Sequence, residues 1–126
     1  MSIVIDTSVM VEHPRGNVIT ADALAAAIRA EERLCASEVS RIELLAGYPS
    51  RQGRRLDRLF EAFEWLPLNE QVARAAGELM GSFGPSHRGV DIADCAIAAT
   101  ATTLGARLWT LNIRHFPMFP RLEPPF

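Results

Sequence analysis

The chain is poor in cysteine and has no long apolar run. Its two cysteines, Cys35 and Cys95, are too few for a disulfide framework, and we interpret both as small core residues. No apolar stretch approaches the roughly 20 residues that a bilayer-spanning helix needs. The N-terminus also lacks the basic and then apolar pattern of a signal peptide. We therefore expect a cytoplasmic protein with no membrane segment.

Positive charge is also scarce, since 13 basic residues face 15 acidic ones and the net charge is −2. A protein whose whole surface binds nucleic acid is usually strongly basic. If this chain binds RNA, a local contact or a bound metal ion must supply the positive charge. Zinc is disfavoured, because His13, His87 and His115 are scattered and no Cys/His cluster has zinc-ligand spacing.

The pattern of strands and helices predicts the fold class. With 126 residues, of which 48% are hydrophobic, we expect one domain over residues 1–126. Predicted strands at 2–6, 33–36, 64–68 and 107–111 alternate with predicted helices at 20–32, 37–46, 52–62, 69–80 and 91–104. This alternation predicts a three-layer α/β/α fold around a mainly parallel sheet of four to five strands. The fifth would be a short edge strand near Arg121 and Leu122.

Asp6 ends the first predicted strand and is followed by Thr7 and Ser8. Ligand sites of open parallel sheets lie beyond the carboxyl ends of the strands, which is where Asp6 falls. A carboxylate there is partly desolvated and needs a cation or a set of hydrogen-bond donors. The alternative is an ordinary turn or helix-cap aspartate.

Glu43 lies on the helix predicted after Ser37, which is a good N-cap residue. Spacing places Glu43 at the edge of a predicted buried face made of Val39, Ile42, Leu45 and Ala46. The alternative is a solvent-exposed glutamate whose stem packs on that face.

Asp91 and Asp94 are three residues apart at the start of the most apolar helix, so they share a helix face. For Asp91 we favour a helix N-cap. Asp94 could be a first-turn acid that favours the helix dipole. However, it heads the small, apolar run 95–101, which should pack tightly, so we expect Asp94 to be held at a site.

Four motifs together resemble the PIN domain, and most closely its VapC toxins. They are Asp6-Thr7-Ser8 after a strand, the helical Glu43, Asp94 heading Ile97-Ala98-Ala99-Thr100-Ala101, and the run 110–116, Thr-Leu-Asn-Ile-Arg-His-Phe. The resemblance covers residues 2 to about 116. Each motif alone is weak, and their shared order and spacing make the match specific.

The resemblance implies a metal-dependent endoribonuclease with catalytic Asp6, Glu43, Asp94 and Asn112. The first three would bind Mg²⁺ or Mn²⁺, the cations that oxygen ligands favour. The fourth position is an amide here, which departs from a full acidic quartet and puts a second tightly bound metal ion in doubt. The sequence does not predict the RNA target.

Other residues near the motifs are expected to support the acids. Thr7, Ser8, Thr110 and Asp91 are candidates for hydrogen bonds that orient the metal ligands. Alternatively, the hydroxyls satisfy only nearby backbone groups. Arg114, beside Asn112, is the candidate for contact with RNA.

The resemblance also implies partners, namely a second copy of the chain in a homodimer and a VapB-like antitoxin. The function expected is the toxin of a type II toxin–antitoxin system. Because of Asn112, a catalytically weak PIN-like module that binds RNA or protein stays open as an alternative. A phosphatase with Asp6 as nucleophile is a third class, but such families usually place a second Asp where Ser8 stands.

Overall fold

The computed structural model describes residues 1–13, 15–48 and 53–126, with only the backbone at 53–55. Its sheet has four strands, which are β1 (Ser2–Ile5), β2 (Arg33–Ser37), β3 (Glu64–Leu66) and β4 (Arg107–Trp109). Their order is β3-β2-β1-β4, and every pairing is parallel. The β-branched run of β1 occupies a central position, where both faces of a strand are buried.

Six α-helices connect and follow these strands. They are α1 (Thr7–Met10), α2 (Val18–Arg29), α3 (Glu38–Gly47), α4 (Gly53–Glu61), α5 (Glu70–Phe83) and α6 (Ile92–Leu104). A 3₁₀ turn, Ile113–His115, follows β4. The predicted start of α4 at Gln52 lies outside the described residues. No helix in the described ranges combines the length and hydropathy needed to cross a membrane.

Helices cover both faces of the sheet. This is required because successive apolar side chains of β1 point to opposite faces and both must be buried. Ile3 and Ile5 point to one face, where they pack with side chains from α1, α2, α3 and α4. Val4 points to the other face and packs with Ile97 and Ala98 of α6. α5 packs against the outer side of α6. The predicted three-layer arrangement is confirmed.

The small residues of α6 allow it to pack closely, and every residue from Asp94 to Ala101 is buried. Cys95 is among them, and both it and Cys35 are free and buried, as predicted. The helix ends at Gly105, which has φ +69 and caps the last turn in the left-handed conformation that glycine adopts at low cost.

The predicted fifth strand is wrong for the described tail. The backbone N–H of Leu122 bonds to the carbonyl of Phe119 in a turn, and prolines at 117, 120, 124 and 125 cannot donate to a strand ladder. The end of the tail instead packs Phe126 edge-on against Trp109, with ring centroids 6.3 Å apart.

The predicted buried face of α3 is also wrong in part. Ile42 is 61% exposed and Leu45 56%, whereas Ser40 and Leu44 are fully buried. The reason is tertiary, because α3 presents its Ser40 side to α1, where Ser40 Oγ lies 2.8 Å from Thr7 Oγ1. A polar contact between helices thus sets which face is buried, and apolar periodicity alone does not record it.

Candidate active site

The candidate acids come together from separate elements at the carboxyl edge of the sheet. Asp6 directly follows β1, and Asp91 and Asp94 start α6, whose C-terminal end leads into β4 at the opposite edge. Glu43 reaches the same edge from α3, where it contacts Thr7. The parallel order of the strands therefore brings side chains nearly 90 residues apart to one place.

Asp6 is 4% exposed, and two hydroxyls bind one of its carboxylate oxygens. Ser8 Oγ donates to Oδ2 at 2.6 Å, and Thr110 Oγ1 donates to the same atom at 2.8 Å. The backbone N–H groups of Leu111 and Asn112 donate to these two hydroxyl oxygens, each at 2.9 Å, which directs their protons towards Asp6.

This hydrogen-bond network bears on two earlier alternatives: whether Asp6 is a site acid or a helix-cap residue, and whether the hydroxyls orient the acid or satisfy only the backbone. Asp6 occupies the N-cap position of α1, but its side chain makes no cap hydrogen bond there, so capping does not account for the carboxylate. The Ser8 and Thr110 hydroxyls satisfy nearby backbone donors and the acid at the same time. Within the described residues, Asp6 Oδ1 has no hydrogen-bond partner, so one carboxylate oxygen remains available for a ligand.

Glu43 is held by Thr7, whose Oγ1 donates to Oε1 at 2.7 Å. Partial burial of the carboxyl raises the pKa of Glu43, and the hydrogen bond from Thr7 opposes that rise. The negative charges of Asp6 and Asp91 raise the pKa further. Glu43 is thus within electrostatic reach of two other acids.

Asp91 and Asp94 form a reciprocal capping box at the start of α6. The Asp94 N–H donates to Asp91 Oδ1 at 2.8 Å, and the Asp91 N–H donates to Asp94 Oδ2 at 3.0 Å. The predicted N-cap role of Asp91 is confirmed.

Asp94 has a perturbed protonation equilibrium. Burial raises its pKa to about 6, and the negative charge of Asp91 contributes to the rise. The hydrogen bond from the Asp91 backbone and the nearby His115 act in the opposite direction.

Asn112 and Arg114 lie where β4 ends and the 3₁₀ turn begins. The Asn112 side chain is exposed and makes no cap hydrogen bond, while its backbone N–H holds Thr110. Arg114 is exposed, and it forms no ion pair with the described residues. The structure therefore places both at the same edge as the acids without fixing their side chains.

The acids fit a hydrated divalent cation rather than a closed metal cage. Within the described ranges no arginine pairs with Asp6, Glu43 or Asp94, and the basic side chain that contacts Asp94 is His115. Among those ranges, no three His, Cys, Asp or Glu side chains stand at the spacing of a formed metal site. Mg²⁺ keeps several waters and binds through one or two carboxylates, which an open set of oxygen ligands can supply.

Two cavities of the described structure lie away from the candidate acids. A cavity of about 550 Å³ lies between β4 and the C-terminal tail, and another of about 460 Å³ lies between α5 and α6. Neither includes any of the acids.

Sequence reasoning gave two residues of this edge no role at the acids. Ser40 contacts Thr7. In the sequence, the one indication of this role was that Ser40 is a polar residue about one helical turn before Glu43. His115 Nδ1 lies 3.4 Å from Asp94 Oδ2. In the sequence, the indication of this contact was the position of His115 three residues after Asn112.

Comparison with known proteins identifies the fold family. A family model described as the PIN domain matches residues 3–120. The chain belongs to the PIN-domain family. All the candidate site residues fall within the matched range.

Named relatives of this PIN domain are VapC proteins. The chain is 45% identical over 122 residues to a protein of Mycobacterium tuberculosis named Ribonuclease VapC19, covering 97% of this chain and 98% of that protein. It is 40% identical over 124 residues to Ribonuclease VapC10 of the same species, covering 98% and 92%.

Solved structures agree on the fold. VapBC2 from Rickettsia felis, bound to a DNA fragment from its promoter, is similar with a TM-score of 0.82 and 20% identity, covering 97% of this chain and 96% of that one. DNA-bound VapBC from Salmonella typhimurium gives a TM-score of 0.83 and 21% identity, covering 100% and 99%. At these identities the likeness establishes the architecture alone.

Proposed function

We propose that this chain is a divalent-metal-dependent endoribonuclease that acts as the toxin of a type II toxin–antitoxin system in the cytoplasm. The proposal is carried by one observation, the cluster of carboxylates at the carboxyl edge of the sheet, none of which pairs with an arginine of the described residues. It is supported by the 45% identity to a protein named as a ribonuclease over nearly the whole chain.

Each acid has a role that its contacts support. Asp6 and Asp94 hold Mg²⁺ or Mn²⁺ directly or through water, and each has one oxygen bound by protein donors and one without such a donor in the described part of the chain. Glu43, fixed by Thr7, helps hold the ion or orients a water. Asn112 offers a neutral oxygen or an amide donor. When bound, the cation lowers the pKa of a coordinated water and neutralises charge on the scissile phosphate.

RNA approaches the acids from the exposed side. Arg114 is exposed one residue before the His115 that contacts Asp94, so its guanidinium can reach a phosphate beside the reacting one. Because the net charge of the molecule is −2, this local contact and the bound cation are the main attractions for RNA.

A VapB-like antitoxin is the proposed regulator, since the similar solved structures include a toxin–antitoxin complex from Klebsiella pneumoniae. Ile42 and Leu45 are exposed on the helix that carries Glu43. An apolar segment of the antitoxin that covers these side chains would lie next to a catalytic acid.

We also propose a homodimer through the groove between α5 and α6. Ile92 is 74% exposed beside a channel lined by the small residues Ala73, Ala76 and Gly77. A two-fold interface needs a protrusion and a recess on the same patch, which this surface has. Ile92→Glu should give a folded monomer by light scattering, whereas an unchanged dimer would place the interface elsewhere.

Purified protein should cut RNA when Mg²⁺ or Mn²⁺ is present and stop when EDTA removes it, leaving 5′-phosphate ends. Asp6→Asn, Glu43→Gln and Asp94→Asn remove single charges and should each lower cleavage by orders of magnitude. Asp22→Asn changes an exposed acid of α2 and serves as the matched control.

The amide at position 112 favours one competing function, a PIN-like module that binds RNA or protein without useful turnover. Wild-type protein that binds RNA yet never cuts it with either metal would support that module. Equal cleavage by wild type and the three acid variants would remove the nuclease assignment.

A further inference from the structure

His115 is anchored against the helix that carries Asp94. It ends the 3₁₀ turn and precedes Phe116, which is 1% exposed and packs in one core cluster with Ile97 and Ala98 of α6. The buried ring of Phe116 therefore fixes the turn relative to the first turns of α6, and with it the position of the His115 imidazole.

The imidazole contacts one particular oxygen of Asp94. His115 Nδ1 lies 3.4 Å from Asp94 Oδ2, the atom that already accepts the Asp91 N–H at 3.0 Å. Protein contacts thus converge on Oδ2 from two sides. Oδ1 has no hydrogen-bond partner among the described residues, which repeats the arrangement at Asp6, where two hydroxyls bind Oδ2.

The other side of the ring rests on Gly89. A Cβ built at Gly89 would lie only 3.2 Å from His115 Nε2, and Gly89 has φ +90, which favours glycine. The ring is therefore seated between Gly89 and the Asp94 carboxylate, with part of its side chain exposed at the surface.

We propose that His115 is a positioning residue that holds Oδ2 of Asp94, so that Oδ1 faces the catalytic cation. This inference rests on the proposed nuclease function, because it assigns His115 a part in that same site. Residues that orient metal ligands typically change metal affinity or activity by about 10- to 100-fold when removed, and we expect His115 to act in this range.

Mn²⁺ binding in the absence of RNA tests the proposal without using turnover. Isothermal titration should show that His115→Ala binds Mn²⁺ about 10- to 100-fold more weakly than wild type. His115→Asn, whose side-chain N–H₂ falls near the place of Nδ1, should restore most of the affinity. His115→Gln places its donor near Nε2 and should resemble the alanine variant.

Cleavage assays separate this role from contact with the substrate. At saturating Mn²⁺ the KM for RNA should be unchanged in His115→Ala, and activity lost at low Mn²⁺ should return as Mn²⁺ is raised. His87→Ala, which removes an exposed histidine bonded to Ser86, is the matched control and should behave as wild type.

Several results would overturn the proposal. They are wild-type Mn²⁺ affinity in His115→Ala, an asparagine variant as weak as the alanine variant, or a raised KM for RNA with unchanged Mn²⁺ affinity. If His115→Ala does not fold, the asparagine and glutamine variants decide by the same comparison. Wild-type protein that binds no Mn²⁺ and cuts no RNA would instead remove the proposed nuclease function, and this inference with it.

Discussion

The Asp94 side chain is only 12% exposed, yet its pKa of about 6 leaves it ionised at neutral pH. Relative to its ordinary value of 3.8, this means that keeping the buried charge costs on the order of 3 kcal/mol. Domains of this size are stable by roughly 5–15 kcal/mol, so the cost is a large share of the total. A residue that destabilises the fold this much is better explained by chemistry than by structure.

Asp94→Asn should therefore stabilise the protein at pH 7.5, by about 1–3 kcal/mol in urea unfolding without divalent ions. The amide oxygen can still accept the Asp91 N–H, while the buried charge is lost. The pKa of Asp94 is higher in the folded protein than in the unfolded chain. Protonated Asp94 therefore contributes stability to wild type that is fully present below pH 3.8 and is lost as pH rises through about 6.

The advantage of Asp94→Asn should accordingly grow between pH 4 and pH 6 and level off above. A variant that is less stable than wild type at pH 7.5, or whose difference does not change with pH, would contradict this explanation of Asp94.

At Asp6 the hydroxyl of Thr110 is the most buried support, since Thr110 is fully buried. Thr110→Val should lower RNA cleavage by about 10- to 100-fold, because a donor to the Asp6 carboxylate is lost. Thr110→Ser keeps the hydroxyl and should retain most of the activity. Steady-state cleavage rates check both, and a serine variant as weak as valine would show that the methyl group matters more than the hydrogen bond.

Among the elements, α6 depends on its capping box. Asp91→Ala removes the acceptor for the Asp94 N–H and should lower stability by about 1 kcal/mol, measured by urea unfolding. Asp91→Ser removes the charge that raises the pKa of Glu43 but retains a capping oxygen. Because the cap is kept, its free energy of unfolding should be close to that of wild type. Equal losses in both variants would mean that the charge, rather than the cap, stabilises the helix.

The order of strands and helices was predictable because it is written in local periodicity. The β-branched run of β1, the Ser37 and Asn69 caps and the Gly105 stop are all signals between near neighbours. The ends of helices were less predictable. We expected α5 to end near Met80, and it continues three residues further, to Phe83. The tail strand failed because the described tail turns at Leu122 and its prolines cannot donate to a strand ladder.

The acids were predictable as residues but their partners were not. The bond from Thr110 to Asp6 joins positions 104 residues apart, and only the pairing of β1 with β4 makes it. The inward face of α3 depends on the contact of Ser40 with Thr7, which apolar spacing does not encode. His115 looked like one of three scattered histidines until the chain was folded.

At the scale of the whole molecule, the charge distribution explains why the proposed RNA cleavage would need a cation. The net charge is −2, and the acidic edge concentrates negative charge where an RNA phosphate would bind. Two anions repel at such a place unless a divalent ion lies between them. Under the proposed function, we therefore expect the protein to bind divalent cations before it binds RNA.

The stability of the RNA-free protein as Mn²⁺ is added tests this central claim most directly. Wild type and Asp22→Asn should gain stability with rising Mn²⁺, reaching about 2.7 kcal/mol when the ion is at 100 times its Kd. Asp6→Asn, Glu43→Gln and Asp94→Asn should gain much less over the same range. Wild type that is insensitive to Mn²⁺, or acid variants that are stabilised as much as wild type, would contradict the claim that these carboxylates form a cation site.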